Sequence, residues 1–394
     1  MEPSPLEVNR RGLVSAAAAA APVTGAVAFV LGGVARRELQ VESPHRLPEF
    51  EVRGWDTWYA TASRLAPGGA GVIARVIDGR VRKLEGNPLH PLNQGKLCAR
   101  GQAEVQALYH PDRIPAPLLR TGERGSGNFR PVDWETALVQ LSERLAQAAK
   151  SGAGSMLFVT GCLRGLRALV VDRLVSALGG RRIIHEPRDD LVLRTAIERV
   201  FGLRRLPKFD IANALCILSF GAAFLDSWLS PLQYSVAYGT FRQGRDRPRG
   251  YFVHVEPRLS QTGANADEWI PIRPGTEGLL ALALAETLVS EGLADAAATA
   301  ALTSFRAESV AQQTGVPAER IRALARMLAA RRPALVLGGD SAAAHTNGLF
   351  NLVAIYALNH LLGNVGVPGG VLPNPDPPLD DPSTPAASLR DWQQ

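Results

Sequence analysis

Hydrophobic and polar positions follow distinct regimes along the chain. Residues 12–35 form one uncharged run rich in alanine and glycine. From about residue 51 to 115, short apolar stretches are cut by the turn sequences "APGGAG", "DGR" and "GNPLHPLNQG". That pattern predicts short strands and turns, a small β-rich module. From 116 onward the period changes. Apolar residues recur at helical spacing over 134–149, with Asp133 placed to cap the helix. A continuous apolar run at 155–160, helical spacing at 168–178 and a short strand at 183–185 follow. Further on, "ALCILSFG", "GYFVHVEP" and "ALVLGG" read as uninterrupted apolar strands ending in glycine or turn residues, and "GLLALALAETLVSEG" and "ERIRALARMLAARR" read as helices between them.

Strands that do not alternate, separated by helices, predict a parallel sheet covered on both faces. Right-handed crossovers make such a sheet doubly wound. The expected fold class is therefore α/β: a β-rich module at 51–115, then a doubly wound parallel-sheet domain at 116–372. Residues 36–50 are polar and proline-containing, which suits a linker, and 373–394 are too proline-rich and polar to pack as regular structure. No internal repeat is visible.

Composition narrows the function classes. With 46% hydrophobic and 20% charged residues, a disordered chain is excluded. The net charge of +6 comes from scattered arginines without aromatic interleaving or a recognisable nucleic-acid module, which excludes nucleic acid as a partner. The charge reads as bulk composition or as a patch for an acidic protein or anionic lipid. The three cysteines, Cys98, Cys162 and Cys216, have no metal-ligand spacing, and the latter two lie in apolar runs as small core residues. The seven histidines are dispersed, and His185 and His254 sit at strand ends with a structural role. No Ser-His-Asp set, nucleophile elbow or P-loop is present, so no catalytic residue is assigned. Arg10 and Arg11 directly precede the run at 12–35, as in a twin-arginine (Tat) export signal. The same run is long enough to anchor in a bilayer, for which about 20 residues suffice. "AVA" at 26–28 offers a cleavage site. Either way the chain is expected in the periplasm or on the outer face of the cytoplasmic membrane.

The stretch "APGGAGVIARVIDGRVRKLEGNPLHPLNQGKLCARGQAEVQALYHPDRI" resembles the N-terminal module of the molybdopterin oxidoreductase superfamily. There, cysteines spaced C-x2-C-x3-C-x27-C hold a [4Fe–4S] cluster beside the pterin cofactor. On this chain those positions fall at Ser63, Ala66, Ala70 and Cys98. Cluster irons need thiolates, and alanine offers no donor atom. The expectation is a degenerate Mo/W bis-MGD-type module without a [4Fe–4S] cluster, with Cys98 a structural remnant.

The resemblance continues through "KFDIANALCILSFGAAFLDSWLSP" and "VHVEPRLSQTGANADEWIPIRPGTEGLLALALA". The second segment is similar to the one that approaches the nucleotide end of the pterin cofactor. After a strand, small polar residues expose backbone N–H groups, and "RPGTE" opens a helix whose N-terminus favours phosphates. The resemblance implies cofactor-contact positions at Glu256, Arg258, Thr262, Gly275, Thr276 and Glu277, expected here to be vestigial. No molybdenum ligand can be placed. Asp189 and Asp190 in "HEPRDD" read as solvated acids.

Taken with the Tat-type signal, the altered cysteine positions and the motifs "HEP" and "FGAAFLDSWLSP", the chain most resembles the B subunit of alternative complex III, a bacterial quinol:electron-acceptor oxidoreductase. The quinone reductase complex of sulfate reducers has a similar subunit. The resemblance covers about residues 50–372. It implies a structural subunit with no cofactor in a membrane-associated respiratory or photosynthetic complex. The implied partners are iron–sulfur, multihaem cytochrome c and polytopic quinol-binding membrane subunits. The alternative is half of a split molybdopterin-dependent oxidoreductase that still binds a molybdopterin guanine dinucleotide.

Overall fold

A computed structural model describes residues 54–66, 68–152, 156–161, 163, 166–185, 190–244, 247–294 and 299–374. The export signal or anchor at 12–35, the linker at 36–50, Cys162, Asp189 and all but the first two residues of the 373–394 tail lie outside them. Among the described residues no helix is long and apolar enough to cross a membrane.

The first unit is an antiparallel meander of β1 (Asp56–Ser63), β2 (Ala70–Ile77) and β3 (Arg80–Gly86). Its β2–β3 turn places Asp78 and Gly79 at φ of 49° and 70°, the mirror-image turn that suits the twist of a hairpin. Val72, Ala74 and Leu84 face a helix, α1 (Ala99–Leu108), and pack with its Val105. The sequence pattern did not foresee α1, because this short helix buries only Gly101 and carries little apolar periodicity. The connection from β3 to α1 is tied down by Asn93. This buried amide accepts from Gly71 N at 3.0 Å and donates to Gly71 O at 2.9 Å and Lys96 O at 2.7 Å.

A hairpin of β4 (Leu118–Arg120) and β5 (Phe129–Pro131) leads to α2 (Trp134–Lys150). Asp133 caps it as expected, accepting from Thr136 N at 2.7 Å. A β–α–β unit follows: β6 (Leu157–Thr160), α3 (Leu166–Ala177) and β7 (Arg181–Ile184), the two strands parallel.

The larger core begins at α4 (Leu191–Phe201) and β8 (Lys208–Phe209). Four parallel strands, β9 (Cys216–Phe220), β10 (Tyr251–Glu256), β11 (Glu268–Pro271) and β12 (Ala334–Gly338), run in the order β11-β10-β9-β12. Every residue of β9 and β12 is buried, which is why these runs show no alternation. Around them lie α5 (Pro231–Gln243), α6 (Glu277–Ser290), α7 (Ala307–Thr314), α8 (Ala318–Ala330) and α9 (Gly348–Leu361). A short strand, β13 (Val371–Leu372), pairs with β8. The α/β class and its parallel sheet are as the sequence implied.

Among the described residues the outer edge of β12 meets side chains instead of another strand. Asn359 on α9 accepts from Val336 N at 3.0 Å and donates to Val336 O at 2.9 Å. The Tyr356 hydroxyl donates to Gly338 O at 2.6 Å and accepts from Gly338 N at 3.3 Å. Backbone groups that would otherwise template another strand are thereby satisfied.

Candidate functional site

Of the four positions matched to cluster cysteines, Ser63, Ala66 and Ala70 lie in or at the ends of the loop between β1 and β2, and Cys98 packs against the two alanines from the start of α1. Ser63 is 4% exposed, and its Oγ donates to Glu104 Oε2 on α1 at 2.5 Å while accepting from Ala66 N at 3.2 Å. Glu104 Oε1 accepts from Arg64 N at 3.0 Å. Ala66 and Ala70 are buried against Leu232 at the start of α5, with Leu97 and Cys98 packed around them. Cys98 stands at the N-terminal boundary of α1, half-buried, and its side chain makes no capping bond. The four side chains thus present one hydroxyl, two methyls and one thiol. A four-iron cluster takes four thiolate ligands, and this set supplies one of them.

Beside this seam lies a cavity of about 750 Å³. Lys96, Cys98 and Arg100 line it from the first unit, and Asp226, Gln243 and Gln261 from the α/β domain.

The six nucleotide-end positions lie after the carboxyl ends of β10 and β11, where open parallel sheets bind ligands. Glu256 pairs in register with Pro271, so both turns leave neighbouring strand ends. They form two groups. In the first, Glu256 is buried, with Oε1 accepting from Ser260 N at 2.5 Å and Oε2 lying 3.1 Å from His254 Nε2. Burial opposes its ionisation, but these interactions with His254 and Ser260 outweigh it and hold the carboxyl below its ordinary range. Thr262 is fully buried and accepts from Leu225 N at 3.2 Å, which ties this turn to the loop after β9. Gly263 lies so close that a Cβ there would come within 2.6 Å of Glu256 Oε1. Arg258 is exposed, with no ion pair among the described residues. This first turn largely satisfies its own polar groups.

The second group does not. Gly275 has φ +81°, a conformation that favours glycine, and its carbonyl accepts from Asn347 Nδ2 at 2.8 Å. The Thr276 hydroxyl is spent on Arg273 O at 2.7 Å and does not cap α6, whose Gly278 N is taken instead by the distant Asn351 Oδ1. Glu277, first residue of α6, is fully buried. Its Oε2 accepts from Asn351 Nδ2 at 3.2 Å, whereas Oε1 has no hydrogen-bond partner. Burial pushes its pKa up, against the pull of its own backbone N–H and the favourable field of His345. A buried acceptor with spare capacity at the start of a helix suits the nucleotide end of a polar cofactor. Gly275, Thr276 and Glu277 would hold it, and the group itself would supply the redox chemistry. Among the described residues no three His, Cys, Asp or Glu side chains gather to hold a metal ion.

Three residues that organise the site were not singled out from sequence: Glu104, Asn93 and Asn351. Asn351 also accepts from Gly278 N at 3.1 Å and donates to Ala342 O at 3.1 Å. Its one visible signal is a polar residue inside the apolar run "GLFNLVAIYALNHL".

Two family models match the chain: "Molybdopterin oxidoreductase" at residues 113–374 and "Molybdopterin oxidoreductase Fe4S4 domain" at residues 68–110. The chain is 33% identical over 326 residues to the menaquinone reductase, molybdopterin-binding-like subunit of Nitratidesulfovibrio vulgaris, covering 81% of this chain and 46% of that protein. It is 27% identical to the dimethyl sulfoxide reductase DmsA of Escherichia coli, covering 92% and 50% respectively. The chain therefore spans about half the length of these relatives. Among solved structures, acetylene hydratase from Pelobacter acetylenicus shares the fold, with a TM-score of 0.62 at 19% identity over 77% of this chain and 43% of that one.

These matches correct the expectation of a chain with neither cofactor nor [4Fe–4S] cluster. Both models describe domains of a cofactor-bearing family, and the chain is also similar to a dimethyl sulfoxide reductase of that family. Substitutions at Ser63, Ala66 and Ala70 describe the donors of one loop, and they do not set the cofactor content of the whole protein.

Proposed function

The chain belongs to the molybdopterin oxidoreductase family, and on that footing we propose that it is a structural subunit of a membrane-associated, quinone-linked electron-transfer complex of the alternative complex III type. The observation that carries this reading is the seam. Where the family's module holds its loop ligands, Ala66 and Ala70 pack against Leu232 and Ser63 is clamped to Glu104, so the loop joins two parts of the protein. Similarity to a menaquinone reductase subunit supports the quinone link. In this reading the chain holds iron–sulfur, multihaem cytochrome c and polytopic quinol-binding subunits together. A Tat-type signal exports it to the periplasm or the outer face of the membrane, with residues 12–35 either cleaved off or kept as an anchor.

The test is purification of the intact complex from its native membrane, followed by quinol oxidation assays on variants of this chain. We expect the cytochrome and quinol-binding subunits to co-purify, and turnover to survive Cys98→Ser and Glu277→Gln. The second reading, a molybdopterin-dependent enzyme completed by further polypeptide, is favoured by the unpartnered Glu277 Oε1. Loss of turnover on Glu277→Gln, together with pterin-bound molybdenum or tungsten in this chain and no quinol-binding partner, would establish it and overturn the structural role.

A further inference from the structure

The amino ends of the parallel strands lie across the sheet from the nucleotide-end turns, and they are strongly cationic. Tyr251, Cys216 and Ala334 start β10, β9 and β12 and stand in register, so the groups around Tyr251 share one end of the domain. The exposed Arg331, just after α8, lies over the Tyr251 ring, its guanidinium carbon 5.0 Å from the centroid. Arg249, two residues before Tyr251, reaches Asp267 Oδ1 at 3.1 Å with its side chain 57% exposed. Arg242, in the last turn of α5, grips the same carboxylate with both terminal nitrogens, and its Nη1 also donates to Gly250 O at 2.8 Å. Arg247 donates to Ala212 O and Thr240 O, and exposed Arg332 donates to Leu293 O at 2.6 Å.

Arg242 and Arg249 share the single carboxylate of Asp267, while Arg247, Arg331 and Arg332 have no acidic partner among the described residues. The connection from α5 to β10 also carries Arg245 and Asp246, outside the described residues, which cancel in charge. The flanking pairs Lys208–Asp210 and Arg326–Glu291 are neutral. Cations near a helix C-terminus offset the helix dipole, which accounts for Arg242. Arg249 belongs to no helix, and Arg331 turns to a ring face instead of a carbonyl. Like charges gathered at one end repel each other, and an anionic partner relieves that repulsion.

We propose that this end of the α/β domain docks an acidic face of another protein, whose carboxylates pair with Arg249, Arg331 and Arg332. A planar guanidinium fork matches a carboxylate, as Arg242 already does with Asp267. Arginine and tyrosine are also enriched where proteins meet. Ring stacking and backbone bonds hold these guanidiniums in place, which suits a fixed pattern of carboxylates better than a fluid layer of lipid headgroups. The surface is separate from the nucleotide-end turns, so the inference stands under either reading of the function.

The test measures binding of fluorescent poly-L-glutamate to the purified full chain by anisotropy, with phosphatidylglycerol vesicles as a second probe. The wild-type chain should bind the polypeptide, and added salt should weaken that binding. Arg249→Gln combined with Arg331→Gln should weaken it about tenfold. Melting should stay unchanged, because Asp267 keeps Arg242 and the Arg331 side chain makes no hydrogen bond among the described residues. Arg120→Gln combined with Arg130→Gln removes the same charge from the exposed β4–β5 hairpin and should leave binding within about twofold. If the first pair lowers the melting temperature, Arg331→Glu alone gives the reading by charge reversal at an exposed position. No binding by the wild-type chain, an equal loss in the hairpin variant, or undiminished binding by Arg331→Glu would overturn the proposal. So would arginine-dependent binding of the vesicles in preference to the polypeptide.

Discussion

Glu104→Ala is the perturbation that tests the seam most directly. The Glu104 carboxylate accepts from the Ser63 hydroxyl at 2.5 Å and from Arg64 N at 3.0 Å, bridging the end of β1 to α1. Removing it leaves the two donors in different situations. Ser63 is 4% exposed, so its hydroxyl loses a charge-assisted acceptor in a site that water does not reach, which costs about 1–3 kcal/mol. Arg64 is exposed, so its N–H turns to water at a cost of about 0.5 kcal/mol. The sum, about 2 kcal/mol, falls on local opening of the β1–β2 loop, because α1 and the meander keep their Val72–Leu84–Val105 contacts. At about 1.4 kcal/mol per decade, exchange of the Ala66 and Gly69 amides should accelerate roughly 30-fold. Both amides are hydrogen-bonded within this loop, Ala66 to Ser63 Oγ and Gly69 to Ala66 O. Hydrogen–deuterium exchange resolved to single amides reads this directly. In the double variant Ser63→Ala with Glu104→Ala the Gly69 amide, whose acceptor is retained, should exchange no faster than in Glu104→Ala alone, since the hydroxyl left without an acceptor is gone, whereas the Ala66 amide also loses its Ser63 Oγ acceptor. If these amides exchange within threefold of wild type in Glu104→Ala, the clamp does not hold the loop and the reasoning fails.

Asp267→Ala should destabilise the α/β domain by about 3 kcal/mol in denaturant titration, because it strands Arg242, Arg249 and the Phe252 N–H, the last bonded at 2.8 Å. Burial opposes ionisation of Asp267, but the Arg242 and Phe252 bonds outweigh it and depress its pKa. A depressed carboxylate pKa gives stability that is full above the unfolded value of about 3.9 and is lost as pH falls through the folded value, so the difference from wild type should be constant at neutral pH and shrink below about pH 4. An Asp267→Ala difference that is unchanged at pH 3 would contradict this assignment. Asn359→Leu leaves Val336 N–H and C=O without their side-chain partners and should cost about 2–4 kcal/mol, read as a lower denaturant midpoint; a loss under 0.5 kcal/mol would show that the edge is not sealed by this amide. Burial pushes the Cys216 thiol up to about 12, so iodoacetamide at pH 8 should label the half-exposed Cys98 in the native chain and leave Cys216 unmodified, as scored by peptide mass spectrometry.

The parts of the fold that could be read from sequence are those whose cause is local. β9 and β12 are buried along their whole length, so their apolar runs announce a covered parallel sheet. Asp133 bonds Thr136 three residues away, so its capping role is visible in the text of the chain. Partners far apart leave no such trace. Ser63 meets Glu104 across 41 positions, and Asn351 meets Glu277 across 74. Neither pair has a period or spacing that could reveal it. The stripe on α2 shows the opposite case. Its periodicity gave the helix correctly, yet the same pattern implies a buried face, and within the described residues that face stays exposed. The six positions that the resemblance implied could be named from the sequence, but which of them has an unused hydrogen-bonding atom depends on Asn351, and only the three-dimensional arrangement shows that.

The side-chain seal along β12 also bears on how the protein is made. Val336 and Gly338 are translated about two dozen residues before the end of α9, which carries Tyr356 and Asn359. At about 5–20 residues per second, the strand edge stays unprotected for roughly one to five seconds after it is synthesised. During that interval the nascent chain presents a flat, wholly apolar strand with free backbone groups, a template for pairing with a neighbouring nascent chain. Slower elongation while α9 follows β12 out of the ribosome would lengthen this exposure and lower the yield in a recombinant host.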